Sequence, residues 1–403
     1  MSHTAPVKLI NKPTKLLTLE FVGLCLVVCL AFCNVSIFYN FFSYLQSLGI
    51  RGELCGLLVG AYSLTAMLLF MVVSPFLNVT NASRTMLLGI AVLIAAGFGY
   101  FFVDSFWGLL GLRIFNGLGQ FLLTAGVMAL FVSIIPAEKS GQAFSLYSIA
   151  ILLPYGAVPT LMDALATHIP TPPHGYALAT ISFLPAIWII LKIRKRTQHR
   201  EASGEKRQLP SWRDIRANLT QLPVALLLLM NLGYFTLWAS LFFLFKGFAA
   251  EQGLANVGSF FAVMTGLMIV LRLLAGRLFD MVDKIWLMMV SFVLIAGGNL
   301  ALDHLTGSWS IPLVALLFGL GMGAGYPAVN GLMFEVSAPR FRAVNANMML
   351  FTVHGGFFIG PAIGGALVVR QGYHGYFLFS IGLALATAVL SSLLIHSRGP
   401  RKC

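Results

Sequence analysis

Short polar connectors divide this chain into twelve apolar runs, each long enough to cross a bilayer as a helix, which takes about 20 apolar residues. The runs fall at roughly 17–46, 54–77, 85–103, 106–135, 142–164, 174–194, 222–249, 254–279, 285–302, 309–337, 343–369 and 373–396. Most connectors are a handful of residues, so neighbouring helices run antiparallel in a compact bundle. Only 10% of residues are charged and 58% are hydrophobic, whereas soluble domains carry about 25% charged residues. A soluble enzyme is excluded, and no sizeable soluble domain fits between the runs. The expected fold is an all-α membrane protein with twelve transmembrane helices.

Lys8, Lys12 and Lys15 precede the first run, which continues nearly unbroken from Leu16 to Leu45. That is too long for a signal-peptide core and no small-residue cleavage pattern follows, so a retained first helix is expected. Cys25, Cys29 and Cys33 recur at the spacing of one helix face and read as small packing residues, not as a disulfide framework.

The net charge of +13 could suggest nucleic acid, but that reading needs basic residues clustered on a folded polar surface. Here they lie in alternate connectors. With the N-terminus inside, the inner connectors and tails hold Arg84, Lys139, Lys192, Arg194, Arg213, Arg216, Arg277, Lys284, Arg340, Arg342 and Arg398, while the outer connectors hold only Arg51 and Arg370. This asymmetry predicts both termini in the cytoplasm. The one long polar segment separates residues 1–193, a first six-helix bundle, from 222–403, a second. Within this 194–221 linker, Trp212, Ile215 and Leu219 suit either a short amphipathic helix at the inner surface or a bare solvated tether.

The halves echo each other. The fourth run carries Arg113-Ile-Phe-Asn-Gly117-Leu-Gly119 and the tenth Phe318-Gly319-Leu-Gly321-Met-Gly323-Ala-Gly325, each followed by a turn containing Pro136 or Pro339. Between the eighth and ninth runs stands Arg272-Leu-Leu-Ala-Gly276-Arg277-Leu-Phe-Asp280-Met-Val-Asp283-Lys284. The corresponding stretch of the first half, Ser74-Pro-Phe-Leu-Asn78-Val-Thr-Asn81-Ala-Ser-Arg84, has lost the aspartate. The eleventh run carries Gly360-Pro361-Ala-Ile-Gly364-Gly365, and the fifth a degenerate Pro154-Tyr-Gly156-Ala-Val-Pro159.

These features resemble the major facilitator superfamily over the whole chain. The 272–284 stretch is similar to its G-x-x-x-D-(R/K)-x-G-(R/K)-(R/K) loop, with Met281 and Asp283 departing from the pattern. The resemblance implies two pseudo-symmetric six-helix bundles around a central site, and an inner gate drawn from Gly276, Arg277, Asp280, Lys284, Arg272 and Asn78. There the Asp280 carboxylate would accept from backbone N–H groups at the start of the fifth helix, near Ser140 and Gly141. Arg272 resembles the arginine that organic-anion and monocarboxylate branches place one turn before this loop.

The resemblance also implies that helices 1, 4, 7 and 10 line the cavity, with 2, 5, 8 and 11 contributing. Candidate solute-binding residues on them are Asn34 and Asn40; Arg113 and Gln120, which share a face with Gly117 and Thr124; Tyr147; Asn231, Tyr234 and Trp238; Asn330; and Asn347 with His354. An intramembrane arginine is expected to be functional, so Arg113 reads as a solute anchor, the alternative being a side chain satisfied by carbonyls of a neighbouring helix. Lys246 is expected to snorkel outward. No acidic residue falls at mid-membrane depth, and Arg113, Arg272 and Lys246 bias the interior positive, which favours an anionic or zwitterionic solute. His354 is the one side-chain proton carrier expected in the core.

The expected function is secondary active transport of a small molecule by alternating access. One alternative is proton-coupled efflux of drugs, sugars or siderophore-like amphipathic compounds. Another, of a different class, is a non-transporting receptor or scaffold. A membrane enzyme would need a clustered catalytic constellation, and the histidines are scattered. No cofactor, metal or nucleic-acid partner is expected. A monomer in the bacterial inner membrane is.

Overall fold

The computed structural model describes residues 16–73, 79–135, 139–197, 211–254, 257–305 and 310–397; the side chains of Val79, Ser140, Gly141, 195–197, 275–281, Ala343 and 395–397 also fall outside that description. The long helices are α1 (Leu19–Ser36), α3 (Gly52–Val72), α4 (Val79–Gly99), α5 (Phe106–Ile134), α6 (Ser140–Ala164), α10 (Leu222–Glu251), α11 (Val257–Met281), α12 (Lys284–Asp303), α13 (Ile311–Val336) and α14 (Arg342–Ser397). Shorter ones are α2 (Phe41–Ser47), α7 (Pro172–Ile181), α8 (Phe183–Thr197) and α9 (Trp212–Leu219). Among the described residues eleven segments are long and apolar enough to span a membrane, and the last of them, Val344–Leu394, contains two crossings. The chain reverses between those two at Gly372, whose φ of +70° is readily reached only without a Cβ. Twelve crossings result.

Two runs are less regular than the sequence suggests. A 3-10 turn at Ile37–Asn40 separates α1 from α2, where the Ser36 hydroxyl donates to the Phe32 carbonyl at 2.6 Å. The sixth crossing breaks at Ser182, between α7 and α8, and Ser182 likewise donates back to the Ala179 carbonyl at 2.6 Å. Such back-bonding competes with the helical ladder and bends it. Helix starts follow ordinary capping chemistry: Thr18 and Ser105 accept from Phe21 and Gly108 N–H.

The departure at Asp283 has a structural explanation. The α11 backbone stays helical through Gly276 and Asp280 to Met281, so the gate segment is mostly helix, and Asp283 caps α12 by accepting from Ile285 N–H at 2.8 Å. The linker stretch 212–219 is helical, and α9 is fastened to the second bundle. Asn218 donates to Asn345 at 2.6 Å and Asn345 to Ser337 at 2.7 Å, all three side chains being buried.

The halves meet along α3–α14 and α6–α11. Small residues set these contacts. A Cβ at Gly56 would strike the Pro361 carbonyl, one at Gly60 the Phe358 backbone, and one at Gly365 would meet Phe42 and the Gly56 backbone. We call the face where α1 begins and α14 ends the basic face, and the other the opposite face. At the opposite face the Ile37–Asn40 turn and α2 pack on α10. Among the described residues no comparable packing joins α5 to α13, and Thr124 and Met128 on α5, with Tyr326, Pro327 and Asn330 on α13, stay half-buried. The structure is thus closed at the opposite face and looser toward the basic one.

Candidate functional site

Arg113 is enclosed in this structure. Its side chain is 1% exposed and sits among the rings of Phe38, Phe41 and Tyr62, with the guanidinium carbon 4.5–5.0 Å from each centroid. Its Nε donates to the Leu58 carbonyl at 3.1 Å and its Nη2 to the Val59 carbonyl at 2.5 Å, both on α3. In this conformation it braces α5 against α3, held by helix carbonyls and aromatic faces, the arrangement of the alternative reading. Together with Asn34, Asn116, Gln120 and Tyr62, Arg113 lines a small cavity with room for about one water. The Asn116 amide nitrogen and the Gln120 amide oxygen have no protein partner there, a donor and an acceptor that one water could bridge.

Other first-half candidates also serve packing. Tyr147 packs against Phe131 inside the first bundle, with centroids 4.5 Å apart. Asn40 accepts from Tyr176 at 3.5 Å near the opposite face.

In the second half a cluster forms around Arg272, on the Met281 side of the middle of α11. The residue is 7% exposed; Nη1 donates to the Ser148 carbonyl of α6 at 3.3 Å, and the guanidinium carbon lies 5.6 Å from the Tyr326 ring. Its Nε has no partner. Tyr326 stacks on Tyr234 with centroids 5.9 Å apart, and Tyr234 is fixed by donating to the Met322 carbonyl at 2.6 Å. Asn330 donates to the Tyr326 carbonyl at 3.0 Å. Asn231 donates to the Met349 carbonyl and the Thr352 hydroxyl, which leaves its amide oxygen unpaired. Toward the opposite face the cluster is roofed by aromatics: Trp238 stacks on Phe242 and packs against Phe357, and Tyr155 of the first half meets both Trp238 and Phe242 edge-on.

The pair Asn347 and His354 does not act as one face. Asn347 is exposed, whereas His354 stacks on Phe70 of α3, 5.2 Å between centroids, at the junction of the halves. Of the expected gate, Asn78 and the side chains of Arg277 and Asp280 lie outside the described residues, and of Gly276 only the helical backbone is described. Lys284 pairs with Glu335 at 2.7 Å, joining α12 to α13 inside the second bundle, so it does not bridge the halves. Lys246 does not snorkel free: it pairs with Asp163 of α6 at 2.9 Å.

Sequence reasoning missed Ser145 and Ser148, which tie α6 to α11 through the Arg272 carbonyl and guanidinium. Their three-residue spacing in a small-residue stretch was the available signal. It also missed the partners of Asp163, an acid that the sequence places only outside mid-membrane depth.

Comparison with known proteins accords with this architecture. The sequence profile of the Major Facilitator Superfamily matches residues 24–354. The quinolone resistance protein NorA of Staphylococcus aureus (strain MSSA476) is 25% identical over 366 residues, covering 86% of this chain and 89% of NorA. The uncharacterized protein YqgE of Bacillus subtilis (strain 168) is 29% identical over 130 residues, 31% of this chain and 30% of YqgE. Among solved structures, a mutant of the nucleoside transporter NupG superposes with a TM-score of 0.73 at 14% identity, covering 94% of this chain and 100% of that one. A mutant of the peptide transporter POT superposes with a TM-score of 0.75 at 12% identity, covering 93% and 94%. The fold and site define a multi-pass membrane transporter of two six-helix bundles. The chain belongs to the major facilitator superfamily and is a secondary transporter, not an enzyme.

Proposed function

We propose that this transporter moves a small amphipathic organic solute bearing an anionic group, bound between the halves beside Arg272. The observation that carries the reading is the Arg272 guanidinium itself. It is buried, its Nε is unpartnered, and among the described residues no carboxylate pairs with it. An arginine cannot relieve such burial by losing its proton, so a ligand anion would complete its pairing. The tyrosine pair and the aromatic roof would supply apolar contact for the rest of the solute.

Delivery follows from alternating access. The halves rock about the site, the loosely packed basic face opening as the opposite face closes. The basic connectors support a cytoplasmic basic face, with both termini there and the protein acting as a monomer in a bacterial plasma membrane. Efflux of amphipathic drugs is the second reading, favoured by the similarity to NorA along most of the chain and by the aromatic roof. In that case His354, at the seam between halves, is the candidate proton carrier.

The test is a thermal-shift screen of the purified protein with organic carboxylates, phosphates, neutral compounds and cations, followed by uptake into proteoliposomes. Anionic or zwitterionic compounds should raise the melting temperature of the wild type, with the shift lost in Arg272→Gln. Stabilisation by cationic or neutral compounds alone, equal in both proteins, would overturn the assignment.

A further inference from the structure

Asp163 lies in the last turn of α6, with Thr160 three residues earlier on the same face. Gly258 is the second residue of α11, so its N–H is one of the four that a helix start leaves without an intrahelical acceptor. The Asp163 Oδ2 accepts that N–H at 2.7 Å, while the Thr160 hydroxyl shares its proton between the Gly258 carbonyl at 2.9 Å and the Gly156 carbonyl of its own helix at 2.8 Å. One turn of α6 therefore grips both sides of a single residue of α11. Only glycine fits, because a Cβ at 258 would land on the Thr160 backbone.

The other carboxylate oxygen is engaged as well. Asp163 Oδ1 accepts from Lys246 Nζ of α10 at 2.9 Å and from the Tyr39 hydroxyl at 3.0 Å. Lys246 also donates to that hydroxyl at 3.3 Å and lies 5.1 Å from the ring centroid. Tyr39 and Asp163 belong to the first half, Lys246 and Gly258 to the second. The Asp163 side chain is 18% exposed and that of Lys246 32%. A second bridge at this face, Arg370 to Glu53 at 2.9 Å, is 67% and 41% exposed, and an ion pair so exposed contributes little.

We propose that Asp163 is the positioning residue that holds the transporter shut at the face opposite the termini. Opening that face must break the contacts to Lys246 and Gly258, which move with the second half. The contact to Tyr39 stays within the first half and keeps the carboxylate aimed for reclosure. The arrangement repeats, with the two helices exchanged, the chemistry expected of Asp280 at the basic face: a carboxylate at the end of one helix of the antiparallel α6–α11 pair accepting from the start of the other. Each lock would then close one end of the same helix pair, and rocking satisfies one while releasing the other. The proposal does not depend on which solute is carried.

The experiment places spin labels at Trp107 and Leu313, both exposed near the opposite face on α5 and α13, in the full chain freed of its native cysteines. Inter-label distance distributions are then recorded by electron paramagnetic resonance. Asp163→Asn should raise the long-distance, open population at this face several-fold, Lys246→Gln should raise it less, and Asp280→Asn should leave it unchanged or lower it. In proteoliposomes Asp163→Asn should change kcat more than KM, as expected of a residue that touches no solute. A wild-type distribution in well-folded Asp163→Asn overturns the proposal. If that variant does not fold, a wild-type distribution in Lys246→Gln, which leaves the Tyr39 and Gly258 contacts intact, overturns it equally.

Discussion

The Nε of Arg113 on α5 donates to the Leu58 carbonyl of α3 at 3.1 Å, and the guanidinium extends the grip to the next carbonyl, that of Val59. Those carbonyls are already acceptors in the α3 ladder, so the arginine shares them instead of breaking the helix. A planar fork suits two carbonyls presented by successive residues, whereas an ammonium is a point donor.

Arg113→Lys should consequently behave as a stability mutant. Each lost hydrogen bond from a charged donor costs about 1.5–3 kcal/mol, and the three rings around the site would lose a flat cation. The melting temperature in detergent should fall, with Arg113→Gln falling further. Solute affinity of the fraction that remains folded should match wild type, and a selective loss of affinity at unchanged stability would return Arg113 to the binding site.

Gly56 tests the seam between the halves. A side chain there meets the Pro361 carbonyl of α14, which is backbone and cannot rotate away. Gly56→Val should pry α3 from α14 and slow transport strongly while leaving expression measurable. Gly111, where a Cβ meets nothing within 4 Å, supplies the control: Gly111→Ala should transport as wild type does.

The docking of α9 depends on a buried polar chain, so removing one link strands the other. Asn345→Leu leaves the Asn218 amide without its acceptor, at a cost of about 1–3 kcal/mol, while the Ser337 hydroxyl keeps its bond to the Met333 carbonyl. Hydrogen exchange over 212–219 should accelerate in this variant. Unchanged protection would mean that α9 is held by other contacts.

At the start of α12, Asp283→Ala removes an N-cap acceptor, a change that costs about 0.5–2 kcal/mol. Asp283→Ser and Asp283→Asn retain an oxygen at the same place and should recover most of the loss in thermal unfolding. Failure of both to do so would assign the aspartate a role beyond capping.

Much of this protein was written in local pattern. Twelve crossings follow from runs of apolar residues, because lipid demands backbone satisfaction within each helix. The reversal at Gly372 is anticipated by the polar break between the last two runs. The aromatic and amide positions of the seventh run, Tyr234 and Asn231 on α10, were legible as interior because polar groups in such helices turn away from lipid.

The partner of each polar group was decided only by the tertiary structure. A sequence shows that Arg113, Arg272 and Lys246 are costly in a membrane, but not what offsets the cost. Arg113 found two carbonyls on α3, Lys246 found Asp163 across the seam, and Arg272 kept an unpartnered nitrogen between α6 and α13. Asp163 and Lys246 are 83 residues apart and share no motif. Helix periodicity fixes which face a residue occupies, while the neighbour opposite that face depends on how the whole bundle packs.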